Sequence, residues 1–104
     1  MLGSSRGYSE PVRVAVVIPA RNAARSLGDC LAALRLEGVP GEHAELIVVD
    51  DASDDDTAKI AAASGATVLQ GAGRGPAAAR NLGARQARAE VLELSGLPDL
   101  EVRT

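Results

Sequence analysis

The sequence predicts one α/β domain built on a mostly parallel β-sheet. Short β-branched or aliphatic runs alternate three times with segments whose apolar residues recur at helical spacing, and the pattern ends on a strand. The strand segments are nearly unbroken apolar runs, which is typical of strands covered by helices on both faces. The connections between them are short, as in right-handed β–α–β crossovers. A chain of 104 residues suffices for one compact domain.

The first strand and helix are predicted from residue 12 onward. A β-branched run over 12–18 is closed by Pro19 and reads as a strand. Asn22 is a favourable N-cap for a helix over about 23–37. Apolar residues recur along that helix at the spacing of one buried face: Leu27, Cys30, Leu31 and Leu34. A segment containing Gly and Pro follows and ends the helix.

The rest of the chain continues the alternation. A second strand over 46–49 ends at Asp50, and Ser53 with Asp56 predicts a capping-box start for a helix over about 54–64. A short third strand over 67–70 leads into a Gly-rich turn, after which Pro76 begins a helix that reaches about residue 88. A fourth strand is expected over 91–94. Residues 11–94 are therefore predicted to form the domain.

Both ends of the chain fall outside this pattern. Residues 1–10 are small and polar and are expected to form a flexible leader, and residues 95–104 an irregular tail. The pattern stops just after the fourth strand, so we expect the fold to be truncated there. A sheet with an exposed edge strand is also expected to associate through that edge.

Composition excludes several classes of function. The formal charge of −3 provides no basic surface for binding nucleic acid through phosphates. No apolar run is long enough for a transmembrane segment or resembles a signal peptide. Cys30 is the single cysteine, so no internal disulfide forms and a cytoplasmic location is expected. Neither Cys30, on the apolar helix face, nor His43, in a Gly-Pro-rich linker, indicates a metal site.

Polar residues gather where the predicted strands end. In open parallel sheets, ligands bind beyond the carboxyl ends of the strands, so the loops after the first three strands should converge on one crevice. Asp54, Asp55 and Asp56 are explained by a helix N-terminus, which favours negative charge. Asp50 and Asp51 precede that helix, and both a turn-forming role and contact with a ligand fit them.

Three segments occur in order along the chain: VAVVIPARNAARSLGDCLAAL, ELIVVDDASDDDT and GRGPAAARNLGARQARAEVL. Together they resemble the N-terminal half of family 2 glycosyltransferases of the GT-A fold. The resemblance implies a three-layer, Rossmann-like half domain with a site for a nucleoside diphosphate sugar, UDP-linked in most relatives. It places Asp51 against the N3–H of the base with Asp50 beside it. It places four residues of the first loop at the nucleoside: Pro19, Ala20, Arg21 and Asn22.

The third segment carries further site residues by the same resemblance. Arg80 and Asn81 are expected to face the donor or to brace its loop, and Arg74 is a further candidate for the diphosphate. A salt bridge from Arg80 to Asp50 or Asp51 is the structural alternative. The GAGRGP turn is not a Rossmann phosphate loop, because its glycines alternate and it follows the third strand.

The sequence departs from the family pattern in two places. Arg21 stands where relatives commonly carry an aromatic residue that stacks on the base. The D-x-D pair that binds Mg²⁺ or Mn²⁺ in the family is expected at 95–98, where this chain reads SGLP. Asp99 and Glu101 are either a displaced metal pair or solvated charges. No catalytic residue is assigned, so three hypotheses remain: a transferase, a nucleotide-binding module that does not turn its ligand over, and an inert remnant.

Overall fold

Four strands and three helices alternate in a computed structural model that describes residues 14–87 and the backbone of residues 91–94. The elements are β1 (Val14–Ala20), α1 (Ala24–Leu36), β2 (Ala44–Asp50), α2 (Thr57–Ala63), β3 (Thr67–Gln70), α3 (Pro76–Gln86) and β4 (Val91–Leu94). The strands form one sheet in the order β3-β2-β1-β4, and every neighbouring pair is parallel. The predicted α/β fold with a parallel sheet is confirmed.

The sheet lies between two helical layers because its strands bury side chains on both faces. On one face, Val16 and Ile18 pack with the buried stripe of α1, which consists of the four residues predicted from the sequence. On the other face, Val17 and Val49 pack against Ala79 of α3. Successive residues of a strand point to opposite faces, so a strand covered on both sides reads as an unbroken apolar run.

Cys30 belongs to the first of these apolar clusters, as the helical spacing predicts. Its burial raises the pKa of the thiol, because the charged thiolate is disfavoured in an apolar environment. The residue is therefore a small core side chain and not an activated nucleophile.

Strand β1 extends two residues further than predicted and includes Pro19, which pairs in register with Val49. The carbonyl of Ala20 accepts a hydrogen bond from the amide of Asp51, so the backbone polar groups of Ala20 point towards β2. The backbone polar groups of successive residues point alternately towards the two neighbouring strands. The position where Pro19 lacks an N–H is therefore on the β4 side. Among the described residues, pairing with β4 reaches only Val17, so the proline interrupts no described pair of that ladder.

Two helices differ from the predicted bounds. Helix α2 begins at Thr57 instead of residue 54, so none of the three preceding aspartates lies in its first turn. Helix α3 ends at Gln86 because Ala87 has an extended backbone. The prediction that Asp54–Asp56 occupy a helical turn was therefore wrong.

Several predictions concern residues outside the described range. They are the leader over 1–10, the tail over 95–104, and the interpretation of Asp99 and Glu101. Within the described residues, every helix is too short or too polar to cross a membrane.

Candidate functional site

Three loops meet at the carboxyl edge of the sheet. We name them the first loop (residues 21–23), the second loop (51–56) and the third loop (71–75). The amide of Asp51 donates to the carbonyl of Ala20 over 2.8 Å, and the amide of Gly71 donates to the carbonyl of Asp50 over 2.9 Å. These bonds continue the strand pairing into the loops, so the sheet itself brings the loops together, as the sequence predicts.

Asn22 joins the first loop to the second. Its amide donates to Ser53 Oγ over 2.9 Å, and its Oδ1 accepts a hydrogen bond from the amide of Asp54 over 2.8 Å. Asn22 has a φ of +49°, a left-handed conformation that asparagine tolerates better than most residues. The predicted N-cap role of Asn22 was wrong, because its side chain bonds across to the second loop instead of to α1.

The N-terminus of α1 is capped by residues of the second loop and α2. The amide of Ala23 donates to Thr57 Oγ1 over 2.9 Å, and the amide of Ala24 donates to Asp55 Oδ2 over 3.1 Å. Ser53 is occupied by Asn22, so the predicted capping box at α2 was also wrong. Sequence reasoning missed Asp55 and Thr57 as structural ligands because their partners lie more than 30 positions away along the chain.

The Asp55 carboxylate accepts hydrogen bonds from one side chain and from two backbone amides. The hydroxyl of Thr57 donates to Oδ1, and the amides of Ala24 and Thr57 donate to the same carboxylate. These hydrogen bonds, that from the Thr57 hydroxyl first, lower the pKa of Asp55 below its ordinary value of 3.8. The Asp55 carboxylate thus joins the second loop to the first residue of α1, and its lowered pKa extends its ionised form to lower pH.

Asp50 closes the end of β2. It is 5% exposed, and its Oδ1 accepts a hydrogen bond from the amide of Ser53 over 3.2 Å. A carboxylate that accepts from the backbone three residues on supports a tight turn, which is the turn-forming role considered for this position. Within this turn, between Asp50 and Ser53, Ala52 has a φ of +64°, an uncommon conformation for a residue with a Cβ.

Asp51 turns in the other direction and reaches the third loop. Its Oδ1 accepts from the amide of Gly73 over 2.8 Å and its Oδ2 from the amide of Gly75 over 2.9 Å. Gly75 is the N-cap of α3, so the carboxylate also lies at the positive end of that helix. Asp51 is 4% exposed, and the two amides take the place of the water that its charge has lost.

A cavity of about 260 Å³ opens where the three loops meet. It is lined by Pro19, Ala20, Arg21, Asp51, Gly75 and Pro76. Arg21 is exposed at this cavity, whereas Pro19 and Ala20 are buried. The cavity thus combines apolar walls with one buried acceptor group and one cation, which is the composition of a small-ligand site.

The remaining predicted site residues lie elsewhere. Arg74 is exposed and lines a second cavity of about 260 Å³, which shares Asp51 with the first and also contains Arg85. Arg80 is half-buried and Asn81 exposed on α3, and neither lines these two cavities. Within residues 14–87, Arg80 forms no ion pair with Asp50 or Asp51, so the salt-bridge alternative does not describe this structure.

The described residues do not fit a metal ion. In the range 14–87, His, Cys, Asp and Glu side chains nowhere form a group of three that could hold one. The carboxylates of Asp50, Asp51 and Asp55 are instead engaged by backbone amides.

Comparisons with known proteins agree on the kind of fold. Residues 15–93 match the family model described as glycosyl transferase family 2. Residues 1–349 of TarS from S. aureus superimpose with a TM-score of 0.74 at 27% identity, over 81% of this chain and 27% of that one. No match to a curated protein was found.

Two similar structures were crystallised with nucleotides. Glucosyl-3-phosphoglycerate synthase from Mycobacterium tuberculosis, in complex with Mn²⁺, UDP and glucosyl-3-phosphoglycerate, has a TM-score of 0.71 at 26% identity over 81% of this chain. The mannosyltransferase PcManGT from Pyrobaculum calidifontis, with GDP-Man and Mn²⁺, has a TM-score of 0.64 at 27% identity over 86%. This chain spans 33% and 28% of their lengths.

Proposed function

The chain belongs to glycosyl transferase family 2, and on that premise we propose that its three loops bind the nucleoside diphosphate part of a sugar donor. The sugar would pass from that donor, UDP-linked by our proposal, to an acceptor hydroxyl. The observation that carries the proposal is the cavity at the meeting point of the three loops, with a buried carboxylate in its wall. Two similar structures whose complexes contain UDP or GDP-Man support it.

The base is assigned to the wall formed by Asp51. A carboxylate presents about four acceptor positions and no donor, and the two glycine amides occupy one position on each oxygen. The remaining positions suit the ring N–H of uracil, which is a donor. Cytosine presents an unprotonated N3 at the same place and leaves this contact unmade, so the pocket should favour UDP over CDP.

Arg21 is assigned to the open face of the base. Its guanidinium is planar and stacks on aromatic rings, so it can replace the aromatic residue expected from the family pattern. Pro19 and Ala20 form the apolar floor, and Asn22 holds the first loop in place through Ser53. Asp50 supports the turn beside Asp51.

We assign the diphosphate to the third loop and α3. Arg74 of the third loop lines the second cavity with Arg85 of α3, and Arg80 and Asn81 are the other candidate side chains on that helix. A guanidinium binds phosphate oxygens with two parallel hydrogen bonds, which suits this role.

Calorimetric titration of the chain with UDP tests the proposal. We expect UDP to bind at least about tenfold more tightly than CDP, because one hydrogen bond to a charged group is lost with cytosine. Arg21→Ala should weaken UDP binding roughly 3–30-fold through the lost stacking. Arg25→Ala is the matched control, because Arg25 is also an exposed arginine and does not line the cavity. A folded chain that binds no nucleotide would refute the proposal.

Repeating the titration with and without Mn²⁺ separates two functions. The described residues offer no metal site, which favours a module that holds the nucleotide through protein contacts alone. Equal affinity in both titrations supports that module. Affinity that rises with Mn²⁺ supports a metal-assisted transferase, whose metal ligands must then lie outside residues 14–87.

A further inference from the structure

The carboxylate of Asp51 and the alternating glycines of the third loop form one structural unit. We propose that Asp51 is a positioning residue: its carboxylate occupies an anion nest made by the loop and thereby forms the Gly75 and Pro76 wall of the cavity. The importance of that wall for nucleotide binding rests on the proposed function, whereas the dependence of the loop on the carboxylate does not.

The three glycines each meet a requirement of this carboxylate. Gly73 and Gly75 have φ values of +75° and +102°, conformations that residues with a Cβ rarely adopt and that turn both amides towards Asp51. At Gly71, a Cβ would lie 2.6 Å from Asp51 Oδ1 and 3.3 Å from its Cα, so a side chain there would displace the carboxylate. The alternating pattern is therefore accounted for by Asp51.

The buried carboxylate of Asp51 depends on the loop for its hydrogen-bond partners as much as the loop depends on the carboxylate. The residue is 4% exposed, and within residues 14–87 it forms no ion pair. Backbone amides that converge in a turn form a recognised anion-binding concavity, and the N-terminus of α3 adds its dipole. Because an unpartnered buried carboxylate is strongly disfavoured, the loop and the carboxylate should order together.

This arrangement also accounts for the position of the cavity. Asp51 is bonded to the end of β1 through its own amide, which donates to the carbonyl of Ala20, and to the third loop through its side chain. One residue thus sets the distance between Ala20 and Gly75, two residues that line the cavity. If Asp51 served only as a contact for the base, the third loop would keep its conformation without the carboxylate.

Hydrogen exchange measured by NMR on the unmodified chain provides the first test. The amide of Arg74 lies between those of Gly73 and Gly75 but donates no hydrogen bond within the described residues, so it is an internal control. After correction for sequence effects, we expect the two glycine amides to exchange about tenfold or more slowly than that of Arg74. Equal exchange at all three positions would overturn the proposal, and no variant needs to fold for this comparison.

Asp51→Asn provides the second test. An asparagine presents one acceptor oxygen, so one of the two glycine amides should face an N–H₂ group and exchange about tenfold or more faster. Asp54→Asn is the matched control, since the exposed side chain of Asp54 accepts no hydrogen bond within residues 14–87. The amides of Ile18 and Val48 in the core should stay protected in both variants.

Amide exchange and UDP binding test the positioning role and the proposed function separately. Unchanged exchange at Gly73 and Gly75 in a folded Asp51→Asn chain contradicts the positioning role, even if UDP binding is lost. Faster exchange there supports it, even if the unmodified chain proves not to bind UDP. Each proposal can therefore fail without the other.

Discussion

Replacing Gly83 by alanine tests how closely α3 approaches the sheet. A Cβ built at Gly83 would overlap Val17 Cγ1 and lie 3.3 Å from Val49 Cγ2. Both valines are 0% exposed, and β-branched side chains have few alternative rotamers, so neither can move aside easily. Helix α3 would have to shift outwards, and its contacts with both strands would loosen.

The expected change in stability follows from two opposing effects. Overpacking a well-packed core destabilises by about 1–3 kcal/mol, and an overlap against a buried valine belongs in the upper part of that range. Alanine is favoured over glycine within a helix by about 1 kcal/mol. The net effect of Gly83→Ala should be a loss of roughly 1–2 kcal/mol, which lowers the midpoint of thermal unfolding by about 4–16 °C.

Gly28→Ala is the matched control. Gly28 also lies within a helix, but a Cβ there would meet no atom within 4 Å. Only the helix preference remains, so this change should stabilise the chain by about 1 kcal/mol and raise the midpoint by about 4–8 °C. Urea and thermal unfolding followed by circular dichroism measure both variants. If Gly83→Ala stabilises as much as Gly28→Ala, the close approach of α3 to the sheet is refuted.

Two further predictions concern the second loop. Ala52→Gly should stabilise the chain by roughly 0.5–1 kcal/mol in urea unfolding. A left-handed alanine costs about 1–2 kcal/mol, and the added freedom of glycine in the unfolded chain offsets part of the gain. Ala33→Gly within α1 is the control and should destabilise the chain; a loss of stability in both variants would contradict backbone strain at Ala52. Hydrogen bonds lower the pKa of Asp55 in the folded state, so the unfolded chain binds the proton more readily. The contribution of Asp55 to stability is therefore fully present above pH 3.8, the unfolded pKa, and is lost as the pH falls through the folded pKa. Urea unfolding between neutral and acidic pH should therefore show a shallower acid loss for Asp55→Asn than for the unmodified chain, and identical slopes would exclude this linkage.

The Asp50–Asp51 pair illustrates a limit of sequence reasoning. The motif marked both residues as special, but the two carboxylates perform different tasks: one supports a turn at Ser53 and the other holds the third loop. Which partner each carboxylate meets depends on where the third loop lies beside the end of β2. Spacing along the chain does not contain that information.

The sequence by itself determined the order and type of every described element, because alternation between strand and helix is a local pattern of apolar residues. It also determined the family, since the resemblance carried by three motifs agrees with the match over residues 15–93. Only the tertiary structure decided how the N-terminus of α1 is capped and that α2 begins at Thr57. The groups that cap α1, Asp55 and Thr57, lie more than 30 positions away, and hydrogen bonds between distant segments exist only once the sheet has brought its loops together.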